Sequence, residues 1–170
     1  NADIIWTSGG TEANNLDILG AAQSAGAGCF AVEAAAHSSL LTPVMHLDKA
    51  GFDAWRVPVD RSGKLDFTHP ESMDVGELRL LGLCHVNNET GAMQNICEVR
   101  NWLDERAPSA LLLVDALQSF GKMSIAWDKA GIDMLSVGGR KIGGPPELGA
   151  LIVRRGTPLK PIMFGGDQQR

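Results

Sequence analysis

The sequence has few cysteines, no run of basic residues and no long apolar stretch. Its three cysteines form an odd and sparse set, which argues against a disulfide framework. No spacing of cysteine and histidine resembles a zinc site, so we predict no metal centre. The formal net charge is -5, with lysine and arginine scattered among the acids, so we expect no nucleic-acid partner. No apolar stretch could span a bilayer, so we expect no membrane association and a cytoplasmic location.

The length allows one domain with a sizeable core, since the chain has 170 residues. It begins with Asn1 rather than Met, and residues 165–170 show no closing helix. We therefore expect residues 1–170 to be a single large domain from a longer protein, without an N-terminal segment and a small C-terminal domain. Cys29 and Cys84 lie in apolar runs, which predicts that both are core residues.

Apolar runs alternate with helical patterns along the whole chain. Helices are predicted at residues 11–25, 38–50 and 96–106. Strands are predicted at residues 3–6, 29–33, 52–59, 79–86, 110–114, 134–137 and 149–154. The alternation predicts an α/β domain, a three-layer sandwich with a mostly parallel central sheet. The irregular segment 138–148 is too short for a crossover helix, so we expect one antiparallel strand.

Polar residues follow most of the predicted strands. In open α/β sheets ligands bind beyond the carboxyl ends of the strands, so these residues mark the expected ligand site. In chain order they are Ser8 to Thr11, His37, the HVNNETG segment at 85–91, Asp115 with Gln118, and Gly138 to Lys141.

The SGGTEANN segment places two glycines and Thr11 where a helix begins. Free backbone N–H groups and the helix dipole suit an anion there, and glycine lets the backbone approach it closely. The segment is therefore a candidate phosphate cradle. A glycine turn with Thr11 as a simple helix cap remains the alternative.

Asp115 and Lys141 are two further candidates for contact with a ligand. An acid at the end of a buried strand needs a partner, and a cationic ring nitrogen would serve. A helix cap or an ordinary pair with a surface lysine is the alternative for Asp115. Lys141 follows Arg140 in a glycine-rich segment, and a lowered pKa from this like charge and from partial burial would make it a competent nucleophile. A solvated loop lysine is the alternative.

The motifs TSGGTEANN, HVNNETG, VDALQS, SVGGRKIGGPPELGALIVRR and FGGDQQR, with a lone His37 between the first two, occur in an order that resembles the cysteine desulfurases. The resemblance covers nearly the whole chain. It implies the large domain of a fold type I pyridoxal-phosphate enzyme, with pyridoxal 5'-phosphate as the cofactor. It also implies L-cysteine as substrate, a sulfur-acceptor protein as partner and a homodimer.

The resemblance implies catalytic roles for three residues. Lys141 matches the lysine that binds the cofactor aldehyde covalently, and Asp115 matches the carboxylate that keeps the pyridine nitrogen protonated. His37 matches the imidazole that stacks on the ring and can shuttle protons. Without the match, His37 would be taken as a helix-start or core histidine.

The resemblance also implies a set of cofactor-binding residues. Asn88 and Gln118 match side chains near the cofactor's phenolic oxygen, and Thr11 with the Gly10 backbone matches the phosphate cradle. The family usually reads S-G-H-K at the lysine, whereas this chain has Gly138 and Arg140 in place of the serine and histidine. Arg140 could replace both, because its fork fits phosphate well.

The nucleophilic cysteine of the family lies beyond the last residue of this chain. We therefore expect the isolated chain to bind cofactor poorly and not to turn over cysteine. Two other functions stay open. One is another pyridoxal-phosphate lyase or aminotransferase of the same fold, and the other is a non-catalytic paralogue that acts as a scaffold.

Overall fold

The computed structural model describes residues 1–68 and 74–165. Its seven strands are β1 (Ala2–Thr7), β2 (Cys29–Glu33), β3 (Asp53–Val57), β4 (Leu78–Cys84), β5 (Leu111–Asp115), β6 (Met134–Gly138) and β7 (Gly149–Arg154). Its α-helices are α1 (Gly10–Ala25), α2 (Ser38–Lys49) and α3 (Ile96–Arg106). Short 3₁₀ helices cover Val75–Glu77 and Gly139–Ile142. None of the helices within these ranges is long and apolar enough to cross a membrane.

The strands form one sheet in the order β1-β7-β6-β5-β4-β2-β3. The strands from β6 to β3 pair in parallel, whereas β7 pairs antiparallel with both β6 and β1. The single antiparallel strand follows from the short link before it, because residues 139–148 hold one 3₁₀ turn rather than a crossover helix. Both predictions for the sheet are confirmed: it is mostly parallel, and it contains one antiparallel strand.

Side chains that alternate along the central strands fill two separate cores. Leu81 and Leu83 of β4 lie in the core that also contains Val99 and Leu103 of α3. Leu80 of β4 lies in the opposite core, with residues of α1 and α2. Helices therefore cover both faces of the sheet, as predicted for a three-layer sandwich.

The predicted elements match the structure closely at their centres and less well at a few ends. The strand predicted at 52–59 spans only Asp53–Val57, and the strand predicted at 79–86 ends at Cys84. The first helix begins at Gly10, one residue earlier than predicted. Cys29 and Cys84 are buried in the core, as predicted. The last five residues of the FGGDQQR motif, 166–170, lie outside the described residues.

Candidate active site

Asp115 is a buried carboxylate at the carboxyl end of β5, with only 6% of its surface exposed. Its Oδ2 atom accepts a hydrogen bond from Asn14 Nδ2 at 2.9 Å, and its Oδ1 atom accepts one from the Leu117 backbone N–H at 2.9 Å. Burial raises the pKa of Asp115, while these two hydrogen bonds and the nearby His37 oppose the rise. No ion pair found within residues 1–68 and 74–165 includes Asp115. The pairing with a surface lysine is therefore not found, and the carboxylate can still take a cationic partner.

His37 is connected to Asp115 through two side chains. Its Nδ1 atom accepts a hydrogen bond from the Ser39 backbone N–H at 3.1 Å and lies 2.8 Å from Ser39 Oγ. Ser39 Oγ in turn accepts from Asn14 Nδ2 at 2.8 Å. Because a backbone N–H can only donate, Nδ1 is an acceptor, and the proton of the neutral ring belongs on Nε2.

His37 is also the residue that caps the N-terminus of α2. Its ring is exposed rather than packed in the core, so the core interpretation of His37 is wrong. The helix-start interpretation is correct as a description of its position. It does not compete with a role in ligand binding, since capping occupies Nδ1 and leaves Nε2 free for a ligand.

The N-terminus of α1 has no side-chain cap. Gly9 occupies the N-cap position and makes no capping hydrogen bond, so the alternative in which Thr11 is a simple helix cap is wrong. Thr11 is exposed in the first turn, where its hydroxyl can add to the N–H groups of the turn. Glu12 accepts hydrogen bonds from the backbone N–H and the hydroxyl of Ser8, at 2.8 and 2.6 Å.

Close backbone packing brings the start of α1 against the end of β6. A Cβ atom added to Gly138 would lie 3.9 Å from the Gly10 backbone nitrogen. A Cβ atom on Gly149 would lie 2.6 Å from Gly9 Cα, which no side chain allows. The absence of side chains here lets the candidate phosphate cradle lie beside the segment that carries Lys141, three residues after Gly138.

Arg140 and Lys141 lie in the 3₁₀ turn Gly139–Ile142 that follows β6. Both side chains are exposed, and neither makes a hydrogen bond or ion pair with another residue of the described part of the chain. The partial burial predicted for Lys141 is therefore not found. Arg140 and Lys141 are left available for a ligand at this edge of the sheet.

The two residues expected near the phenolic oxygen differ in their surroundings. Asn88 is exposed and Gln118 is half-buried. Asn87, the residue before Asn88, is buried and holds this loop in place. Asn87 Nδ2 donates to the Ala35 carbonyl at 2.7 Å. Its Oδ1 atom accepts hydrogen bonds from the backbone N–H groups of Glu89 and Thr90.

Several buried polar residues around Asp115 were not singled out from the sequence. Asp17 and Ser136 share a hydrogen bond of 3.0 Å, and Glu33 accepts from the Cys84 backbone N–H and from Gln94 Nε2, both at 2.9 Å. The sequence did contain a sign that Asp17 is unusual, because this acid stands among apolar residues on the buried face of α1.

Burial raises the pKa of the Cys84 thiol to about 12, so this cysteine is no nucleophile at neutral pH.

Comparison with known families identifies the family of this chain. The model of the family described as "Aminotransferase class-V" matches residues 1–170. The chain belongs to the class-V aminotransferase family. Among curated members, it is similar to "Cysteine desulfurase IscS 1" of Archaeoglobus fulgidus, with 38% identity over 170 residues. It is also similar to "Cysteine desulfurase IscS" of Dictyoglomus turgidum, with 34% identity over 169 residues.

Solved structures of this family resemble the chain over nearly its whole length. A "NifS-like protein" matches with a TM-score of 0.91 and 28% identity, over 97% of this chain and 46% of its own. "SspA in complex with cysteine" matches with a TM-score of 0.85 and 34% identity, over 97% of this chain and 48% of its own. The two curated relatives align with 99% and 98% of this chain, which spans 44% and 42% of their lengths. The class-V aminotransferase fold of this chain thus corresponds to less than half of those proteins.

Proposed function

We propose that the protein containing this chain is a pyridoxal-phosphate-dependent cysteine desulfurase. It would convert L-cysteine to L-alanine and leave a persulfide on the enzyme, for iron–sulfur cluster or thio-cofactor assembly. The buried Asp115, held by Asn14 and linked through Ser39 to His37, is the observation that carries the proposal. Relatives named cysteine desulfurase, and a similar structure described as a complex with cysteine, support this substrate.

The residues present fit pyridoxal phosphate. Asp115 offers a buried carboxylate that forms no ion pair with any described residue, which suits the protonated nitrogen of the pyridine ring. The first turn of α1 offers uncapped N–H groups and the Thr11 hydroxyl, which suit a phosphate. Arg140 can add a bidentate contact to the same anion. Lys141 has no hydrogen-bond or ion-pair partner among the described residues, so its amine would be available for the aldehyde.

The cofactor, when bound, supplies an electron sink for the carbon next to the substrate amine. The chain's own residues prepare for this chemistry. Asp115 keeps a proton on the ring nitrogen, and Asn14 holds the carboxylate in place. Lys141 Nζ would hold the cofactor aldehyde, and its free amine would serve as the base for the α-proton of the substrate. His37, with its proton on Nε2, would be able to donate a hydrogen bond to the bound cofactor or substrate, while Ser39 fixes Nδ1.

The remaining contacts extend the same proposal. Asn88 and Gln118 would bind near the phenolic oxygen of the cofactor. The attack on the substrate sulfur requires a cysteine thiolate, and Cys29 and Cys84 are both buried with a thiol pKa raised to about 12. The third cysteine, Cys97, is half-buried on α3 and packs against the core on the face of the sheet opposite α1 and α2. It also does not match the position of the family's nucleophile, so that nucleophile would belong to a part of the protein outside this chain. A sulfur-acceptor protein, a homodimer and a cytoplasmic location complete the proposal.

The test is product analysis with the whole protein, pyridoxal phosphate and L-cysteine. A desulfurase forms alanine in step with transferable sulfur, and a Lys141→Ala variant forms neither. An aminotransferase would form a keto acid instead. A folded protein that forms no product from any amino acid would indicate the scaffold function, which the glycine at position 138 and the arginine at 140 would then explain.

A further inference from the structure

Two buried side-chain oxygen atoms near Asp115 have no hydrogen-bond partner within residues 1–68 and 74–165. They are Asn14 Oδ1 and Asp17 Oδ1, and both side chains are fully buried. The two residues are three positions apart on α1 and share its buried face, where such residues are neighbours. An unpaired buried polar atom costs about 1–3 kcal/mol, so two of them on the buried face of one helix call for an explanation.

The orientation of the Asn14 amide is fixed by its other contacts. Both hydrogens of its nitrogen are used, one toward Asp115 Oδ2 at 2.9 Å and one toward Ser39 Oγ at 2.8 Å. The reversed amide would place its oxygen against the Asp115 carboxylate, where two acceptors would repel each other. The observed orientation leaves Asn14 Oδ1 inside the protein, where only a donor can satisfy it.

Asp17 is the group beside it that can carry such a donor. Its Oδ2 atom is paired with Ser136 Oγ at 3.0 Å, which leaves Oδ1 as the free oxygen. No ion pair within residues 1–68 and 74–165 includes Asp17. Burial raises the pKa of Asp17 well above its ordinary value, and the like charge of Asp115 raises it further. A neutral carboxylic acid has one O–H group, and that group needs an acceptor.

We propose that Asp17 is a positioning residue that carries a proton on Oδ1 and donates it to Asn14 Oδ1. The hydrogen bond satisfies both free oxygens and locks the amide with its nitrogen toward Asp115 and Ser39. A continuous polar chain then runs from Asp17 through Asn14 to Asp115, and through Ser39 to His37. The consequence for catalysis rests on the proposed function, whereas the hydrogen bond itself does not.

The direct test is infrared spectroscopy of the whole protein without cofactor at neutral pH. The carbonyl stretch of a protonated carboxylic acid is compared between wild type, Asp17→Asn, Asp115→Asn and Glu33→Gln. We expect one component to disappear in Asp17→Asn and to persist in the other two variants. In Asn14→Ala the same component should move to higher frequency, because its acceptor is gone. The proposal is wrong if folded Asp17→Asn loses no carbonyl component, or if the component does not shift in folded Asn14→Ala.

A pair of Asp17 variants tests the link to the cofactor. Asp17→Asn keeps a donor of the same size and should keep kcat within about threefold, whereas Asp17→Leu fills the volume without a donor and should lower kcat about tenfold. The pH midpoint of the colour of the lysine-bound cofactor should move in Asp17→Leu and not in Asp17→Asn. Equal effects of the two variants would contradict the role as donor. A wild-type protein that binds no cofactor would defeat the proposed function and leave the infrared result standing.

Discussion

The side chain of Leu117 lies directly against the backbone of Gly10. A Cβ atom built on Gly10 would come within 2.1 Å of Leu117 Cδ2 and within 2.8 Å of Leu117 Cγ. Leu117 also gives its backbone N–H to Asp115, so one residue touches both the candidate phosphate cradle and the candidate partner of the pyridine ring. The size of the residue at position 10 therefore affects both ends of the proposed cofactor site.

This contact predicts a size-dependent pair of substitutions. Gly10→Ala forces Leu117 to move, and overpacking of this kind typically costs about 1–3 kcal/mol of unfolding free energy. Leu117→Ala in the Gly10→Ala background should recover part of the loss, because it removes the atoms in the way. Urea unfolding of the single and double variants measures both effects. Purely additive losses would show that the two residues are not coupled.

The buried acid Asp17 predicts an unusual dependence of stability on pH. Its folded-state pKa is raised, so between the unfolded pKa of about 3.9 and the folded pKa the folded protein holds a proton that the unfolded chain has lost. The unfolding free energy should therefore fall as pH rises through this window, by at most about 1.4 kcal/mol per pH unit for one proton. The buried Asp115 and Glu33, whose pKa values are also raised, act in the same direction.

Comparison with Asp17→Asn isolates the contribution of this one group. The difference in unfolding free energy between wild type and variant should shift in favour of the variant as pH rises from about 4 toward neutral. Denaturant unfolding at a series of pH values measures the difference. A difference that stays constant across the series would mean that Asp17 titrates alike in the folded and unfolded states.

Asp115→Asn tests the proposed partner of the pyridine nitrogen. The neutral amide has nearly the same shape but cannot hold a proton on the ring, so kcat should fall at least about 100-fold, as for the loss of other preorganised electrostatic groups. Attachment of the cofactor to Lys141 should persist, because it does not depend on the ring nitrogen. Product assays and absorption spectra measure the two separately. A variant with near-normal kcat would remove Asp115 from the mechanism.

Arg140→Ala tests whether this arginine binds the phosphate. A charge-assisted hydrogen bond contributes about 1.5–3 kcal/mol, so the Kd for pyridoxal phosphate should rise by roughly 10-fold to 100-fold. The Kd for pyridoxal, which lacks the phosphate, should not change. Arg106→Ala, which alters an exposed arginine in the last turn of α3, is the matched control. Equal losses for both ligands would place Arg140 elsewhere than at the phosphate.

The sequence predicted the fold well because the strands are short apolar runs and the helices have clear ends. Ile96–Arg106, for example, follows Asn95 and stops before Pro108, and its predicted bounds match the structure. The strand predicted at 52–59 was too long, because residues after Val57 turn toward an isolated bridge between Val59 and Leu65 instead of continuing the sheet. Apolar character alone does not show where pairing stops.

The site was only partly predictable from the sequence. The pattern of polar residues after strands pointed to His37 and Asp115, since the carboxyl ends of parallel strands share one edge of the sheet. It could not show that Asn14 joins them, because that contact spans 101 positions from Asn14 to Asp115. The sequence also left open whether Lys141 is partly buried or a solvated loop lysine, since neighbouring glycines and apolar residues do not reveal which side of a turn is covered; the structure shows that it is exposed.

A visible absorption spectrum shows whether Lys141 holds pyridoxal phosphate, on which the proposed function depends. The whole protein mixed with the cofactor should show the band of a lysine-bound aldehyde. Lys141→Ala should lose that band, while Lys129→Ala, which alters an exposed lysine in the turn before β6, should retain it. No band in a folded wild-type protein, or an unchanged band in Lys141→Ala, would contradict the account.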